Sequence, residues 1–140
     1  ATSASLVSGQ TPIVVNWDYL NLADGQKNKG MVDIETVLPT GGHPLGGFYC
    51  QAISKFAPNL KAAQLWEEFL MSDAGQLIYL EGFAHPARFS DMVARGVVPK
   101  ALLDKLPPAE PYKQAQFPNK EQTEKAKATL QANWAKMVHV

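Results

Sequence analysis

Residues 59–82 constrain the fold more than any other stretch of this chain, because they spell two short helices and the corner between them. Ala62, Leu65, Trp66, Phe69 and Leu70 recur at helical spacing, with Lys61, Gln64, Glu67 and Glu68 on the opposite side. That pattern predicts an amphipathic helix whose apolar stripe faces a core. Asn59, following Pro58, stands at its N-cap position. Asp73 followed by Gln76 opens a second helix in the manner of a capping box; it runs through Leu77, Ile78 and Leu80 and stops at Gly82.

Around this unit the chain alternates helices with a few strands. Residues 3–8 read as a helix stopped by Gly9. Ile13-Val14-Val15 is a β-branched run of the kind buried on both faces of a parallel sheet, and it ends in the cluster Asn16-Trp17-Asp18-Tyr19. A short helix to about Ala23 follows, with Asp24-Gly25 beginning a turn. From Val32 to Leu38 apolar residues alternate with Asp33 and Glu35, predicting a strand with one wet face. The segment 40–47 carries four glycines and a proline, which marks a close backbone approach. Residues 48–53 read as a third strand. Shorter helices are predicted near 90–95 and 99–106, then an extended proline-rich stretch over 107–118. A last helix begins at Asn119 with Gln122 three residues on, and its Ala126, Leu130, Trp134 and Met137 should dock on the body. Three strands against five or six helices imply that strands are missing and that an α/β sheet is incomplete.

Composition bounds the function classes. A chain of 140 residues with 46% hydrophobic content suits one globular domain. Thirteen basic and thirteen acidic side chains cancel, so the footprint of a nucleic-acid binder is missing. Cys50 is the one cysteine and reads as a buried, inert thiol. A Cys50–His85 thiol–imidazole pair has no support in spacing, and no nucleophile elbow, phosphate-binding loop, zinc-protease pair or dinucleotide fingerprint is written. The chain is therefore read as no enzyme. His43, His85 and His139 have no partners at metal-ligand spacing, so neither a metal nor a cofactor is expected. The sequence opens on Ala1 without a leader, consistent with a removed signal peptide.

Three motifs in order carry a resemblance. Residues 9–19, from Gly9-Gln10-Thr11-Pro12 to Asn16-Trp17-Asp18-Tyr19, resemble the ligand-facing element of type II periplasmic binding proteins. Residues 61–76, ending in Ser72-Asp73-Ala74-Gly75-Gln76, are similar to that superfamily's helix-corner-helix, and Gly82-Phe83-Ala84-His85-Pro86-Ala87-Arg88 to its Gly-x-x-x-Pro-x-Arg segment. The resemblance implies an α/β fold, a helix-rich C-terminal portion of an incomplete two-lobed clamshell. Residues 1–33 would end the second lobe, 34–40 form the crossover and hinge, and 41–140 complete the first lobe with terminal helices. It also implies a periplasmic or extracellular, membrane-associated solute-binding component of an ABC importer that delivers its solute to permease subunits. Self-association, or pairing with a missing N-terminal half, would complete it.

Within that frame Asn16, Trp17, Asp18 and Tyr19 sit at a strand end, where open α/β sheets bind ligands. An indole beside a carboxylate suits an amine or polyamine. The competing reading makes Trp17 a packed ring and Asp18 an N-cap. Thr40, Gly41 and Gly42 could offer backbone N–H groups to a phosphonate or sulfonate, or form only a hinge loop, and Tyr49 is a weaker candidate. Tyr19 is followed by Leu20 rather than a second tyrosine, which disfavours ferric iron. A helical interaction module is the remaining alternative class.

Overall fold

The computed structural model describes residues 3–39, 41 and 44–138. Eight helices are formed among them: α1 (Ser3–Val7), α2 (Asp18–Lys27), α3 (Leu60–Met71), α4 (Asp73–Glu81), α5 (Phe89–Ala94), α6 (Lys100–Leu103), α7 (Glu110–Lys113) and α8 (Lys120–Val138). The chain divides into two compact units, Ala1–Leu38 with Cys50–Pro108, and Pro39–Tyr49 with Ala109–Val140.

Helix accounts for 52% of the described residues and strand for 2%, and no sheet forms among them. This overturns the expected α/β periplasmic-binding-protein architecture. The segments expected as strands over 13–15, 32–38 and 48–53 adopt no ladder, and the one bridge among the described residues joins Leu45 and Gln116 in parallel. A period-two pattern specifies which side of a strand is wet but not which chain lies beside it. Ile13 and Val15, expected to be buried on both faces, are 79% and 99% exposed.

The first unit is built on the corner. Ser72, and not the expected Asp73–Gln76 box, caps α4: its Oγ accepts the Gly75 N–H at 3.2 Å and donates to the Phe69 carbonyl at 2.6 Å. Gly75 is required by close approach, since a Cβ there would stand 2.1 Å from the Phe69 carbonyl oxygen and 2.9 Å from the Leu70 Cα. The far end of α4 closes in a Schellman arrangement, Ala84 N–H to the Tyr79 carbonyl and Phe83 N–H to that of Leu80, both at 3.0 Å. The left-handed position is taken by Phe83 (φ 66°) instead of Gly82, a conformation that costs an L-residue roughly 1 kcal/mol.

The core lies where α4, α5 and α6 converge. Leu80, Met92 and Val98 are buried, with Leu77, Phe89, Leu102, Leu103 and Leu106 packed around them. Helix α3 forms as predicted, yet its face does not point as predicted. Leu65, Trp66 and Phe69 are exposed, whereas Ala63, Glu67 and Leu70 are half-buried. Trp66 and Phe69 stack on each other, with ring centroids 5.6 Å apart. Asn59 holds the N-cap place of α3 without a side-chain capping bond. Helix α2 runs on through Asp24-Gly25, where a turn was predicted, because buried Asn28 donates from both its backbone and its Nδ2 to the Asp24 carbonyl, at 3.0 and 2.8 Å.

In the second unit, the amides of Gly46 and Gln116 donate to the carbonyls of Gln116 and Pro44, both at 2.8 Å. The Phe117 ring sits over Gly46, where a Cβ would lie 2.5 Å from the ring, and it meets Phe48 at a centroid distance of 6.2 Å. That contact is the close approach foreshadowed by the glycine-rich run. The stretch predicted extended over 107–118 contains α7. Helix α8 starts with a reciprocal capping box as predicted: the Gln122 amide donates to Asn119 Oδ1 and the Asn119 amide to Gln122 Oε1, both at 2.9 Å. Its Leu130, Trp134 and Met137 are exposed instead of docked.

Candidate functional site

Two features of the first unit gather polar groups. The first is the helix corner. Gln76, 2% exposed, donates from Nε2 to the Leu70 carbonyl at 2.7 Å and accepts the Arg88 backbone N–H on Oε1 at 2.9 Å. Arg88 donates from Nη1 to the Met71 carbonyl at 2.8 Å, lies 3.2 Å from Asp73, and reaches Asp91 with Nη2 at 2.8 Å. Arg95 adds a two-pronged contact with Asp73, at 2.9 and 2.7 Å, and three hydrogen bonds to Asp91. Hydrogen bonds from Arg95 hold the Asp73 carboxyl below the ordinary aspartate range, and those from Arg95 and then Arg88 do the same for Asp91. The same contacts raise the Arg95 pKa further. Two cations and two anions satisfy one another here, so the cluster ties α4 to α5 and leaves no charge over for a ligand.

The second feature is a cavity of about 350 Å³ beneath α2. Asn21, Gln26, Ile34, Phe83, Lys105 and Pro107 are among its lining residues. Lys105, itself exposed, is the one charged residue of that lining.

The sequence candidates lie elsewhere. Asn16 turns its Oδ1 onto the Trp17 N–H at 2.9 Å. Trp17 takes the N-cap place of α2, so Asp18 is its first helical residue and not its cap, an acidic position favoured by the helix dipole. Tyr19 is half-buried. The Asp18 charge is felt at His85, whose ring meets Phe89 edge-on at 4.7 Å; burial lowers the His85 pKa and Asp18 opposes the fall. Gly41 and Tyr49 belong to the second unit, both exposed, while Thr40 and Gly42 lie outside the described residues, as do His43 and His139. Cys50, expected buried, is exposed. Among the described residues no group of three or more His, Cys, Asp or Glu could hold a metal ion, and no helix is long and apolar enough to cross a membrane.

Sequence reasoning placed Gln76 at a helix start but missed its tie to Arg88, twelve residues away. It missed the cavity altogether, since Asn21, Phe83 and Lys105 share no motif. No family model matches the chain, and neither does any curated protein or solved structure. With no sheet and no match, the resemblance to type II periplasmic binding proteins does not hold, and the assignment to an ABC importer that rested on it is withdrawn. Two of the three motifs that suggested it, 61–76 and 82–88, are accounted for by local geometry: a capped corner, a glycine in tight contact, and a glutamine holding an arginine. The class that the fold defines is a mainly helical polypeptide with no sheet among the described residues.

Proposed function

We propose that this chain is a binding polypeptide without catalysis of its own, and that it reaches its working form in association with further polypeptide. One observation carries the reading. Among the described residues only Leu80, Met92 and Val98 form a buried apolar core, while Ile13, Val15, Phe56, Leu65 and Trp66 of the same unit stand open to solvent. Burial of apolar surface is the main term opposing chain entropy, and a core this small does not balance it. Burial of these side chains against further polypeptide would supply the missing apolar term. Sedimentation equilibrium over a range of concentrations, paired with urea unfolding, tests the reading. The expected result is concentration-dependent mass, or a shallow transition for the isolated chain. A monomer with a steep, concentration-independent transition overturns it.

Capture of a small solute is a second reading, supported by the cavity beneath α2. Lys105 and the amides of Asn21 and Gln26 there suit a carboxylate, phosphonate or sulfonate better than an amine. Thermal shift against methylphosphonate, a sulfonate and an alkylamine separates the two chemistries. On this reading the anions raise Tm, and Lys105→Met abolishes the rise.

A further inference from the structure

The alternating segment of the first unit has a wet face, a packed face and no strand paired with it among the described residues. Exposure alternates without a break from Met31 to Leu38: Met31, Asp33, Glu35 and Val37 are open, while Val32, Ile34, Thr36 and Leu38 are half-buried. Period two in exposure is the mark of extended backbone. The packed face lies against α2, with the Ile34 carbonyl oxygen 3.4 Å from where a Cβ at Gly25 would stand, and Ile34 and Thr36 also line the cavity. From Asp33 to Leu38 no backbone N–H or carbonyl makes a hydrogen bond with a described residue. The Ile34 carbonyl is covered by α2, and successive residues of an extended strand turn their N–H and carbonyl groups to opposite edges, so the free ladder edge is that of Asp33, Glu35 and Val37, a template for strand addition.

We infer that residues 32–38 accept a β-strand from another polypeptide, one that alternates β-branched residues with lysine or arginine. This deepens the association reading above and rests on it. Residues directly opposite in a ladder share a face, so an incoming strand sets its outer side chains beside Asp33 and Glu35. Neither carboxylate makes a salt bridge among the described residues. Cations on the partner complement them, and β-branched residues continue the packed face beside Ile34 and Thr36.

A second copy of this chain is the poorer occupant. Antiparallel self-pairing centred on Ile34 sets Asp33 against Glu35, and centring on Glu35 sets that residue against itself. A parallel in-register pair stacks each carboxylate on its own copy. Like charges directly opposite are destabilising in each case.

The test uses the full chain and two blocked synthetic peptides, acetyl-Thr-Lys-Val-Lys-Val-Thr-amide and the same peptide with glutamate for lysine. The readouts are binding by titration and hydrogen exchange of the amides of residues 33–38. The lysine peptide should bind and slow exchange at alternate amides of that segment, those of Asp33, Glu35 and Val37. The double variant Asp33→Lys/Glu35→Lys should reverse the preference between peptides by about tenfold or more. Glu35→Pro, which removes a ladder donor, should abolish protection while far-UV circular dichroism shows the helices unchanged. Absence of binding, protection elsewhere than 33–38, an unreversed preference, or protection of 33–38 by self-association without peptide each overturns the inference. Association of the chain with unprotected 33–38 sinks this inference alone; a self-sufficient monomer that binds neither peptide sinks the association reading with it.

Discussion

Gln76 accepts the backbone N–H of Arg88 at 2.9 Å while donating to the Leu70 carbonyl at 2.7 Å, so one buried amide joins the end of α3, the start of α4 and the approach to α5. Gln76→Ala removes both bonds and leaves a carbonyl and an amide without partners. The expected loss is about 2–4 kcal/mol, read as a lowered urea midpoint at unchanged m-value.

Gly75 sits in the same corner for a steric reason. Its missing Cβ leaves room for the backbone of Phe69 and Leu70, which cannot swing aside as a flexible side chain would. Gly75→Ala should therefore open the α3–α4 corner at a cost of about 3 kcal/mol or more. A thermal melt within a few degrees of the parent would show that the corner relaxes without cost.

Met92 is fully buried between Leu80 and Val98. In so small a core there is little to collapse into a void, and Met92→Ala should cost about 2–5 kcal/mol. Loss of the cooperative transition by circular dichroism, with fast exchange of the α4 and α5 amides, is the expected signature.

Acid should weaken the first unit in two stages. Burial lowers the folded-state pKa of His85 below its ordinary 6.5, so the unfolded chain binds the extra proton first, and stability falls as pH drops below 6.5 toward the folded value. Asp73 and Asp91 are held below their ordinary 3.8, so their stabilisation is present above 3.8 and is lost as pH falls through their depressed values. A Tm profile against pH should show both slopes, and His85→Phe should remove only the upper one. An unchanged upper slope in that variant would assign it to another group.

Much of the helical layout was legible in the residues. Asn119 with Gln122 caps α8 as read from the residues, and at α4 the cap falls one residue before the expected Asp73, on Ser72 with Gly75; both caps act through bonds spanning three residues. Such contacts are written wherever two residue types stand at the right spacing. The stop of α4 was visible for the same reason, although the left-handed turn moved from Gly82 to Phe83. The candidate sites were less legible: Lys105 reaches the α2 cavity from a separate element, and spacing along the chain does not record that meeting.

By itself, then, the sequence determined where most helices begin and end, α7 and the end of α2 excepted, because capping, helical hydrogen bonding and steric fit at Gly75 act within a few residues. Only the tertiary structure decided which faces are covered. It left Leu65, Trp66 and Phe69 of α3 open, tied Gln76 to Arg88, and set residues 32–38 against α2 with no strand beside them among the described residues. The physical reason is that burial and strand pairing need a second surface, and an amphipathic pattern states that such a surface is wanted without saying which one meets it.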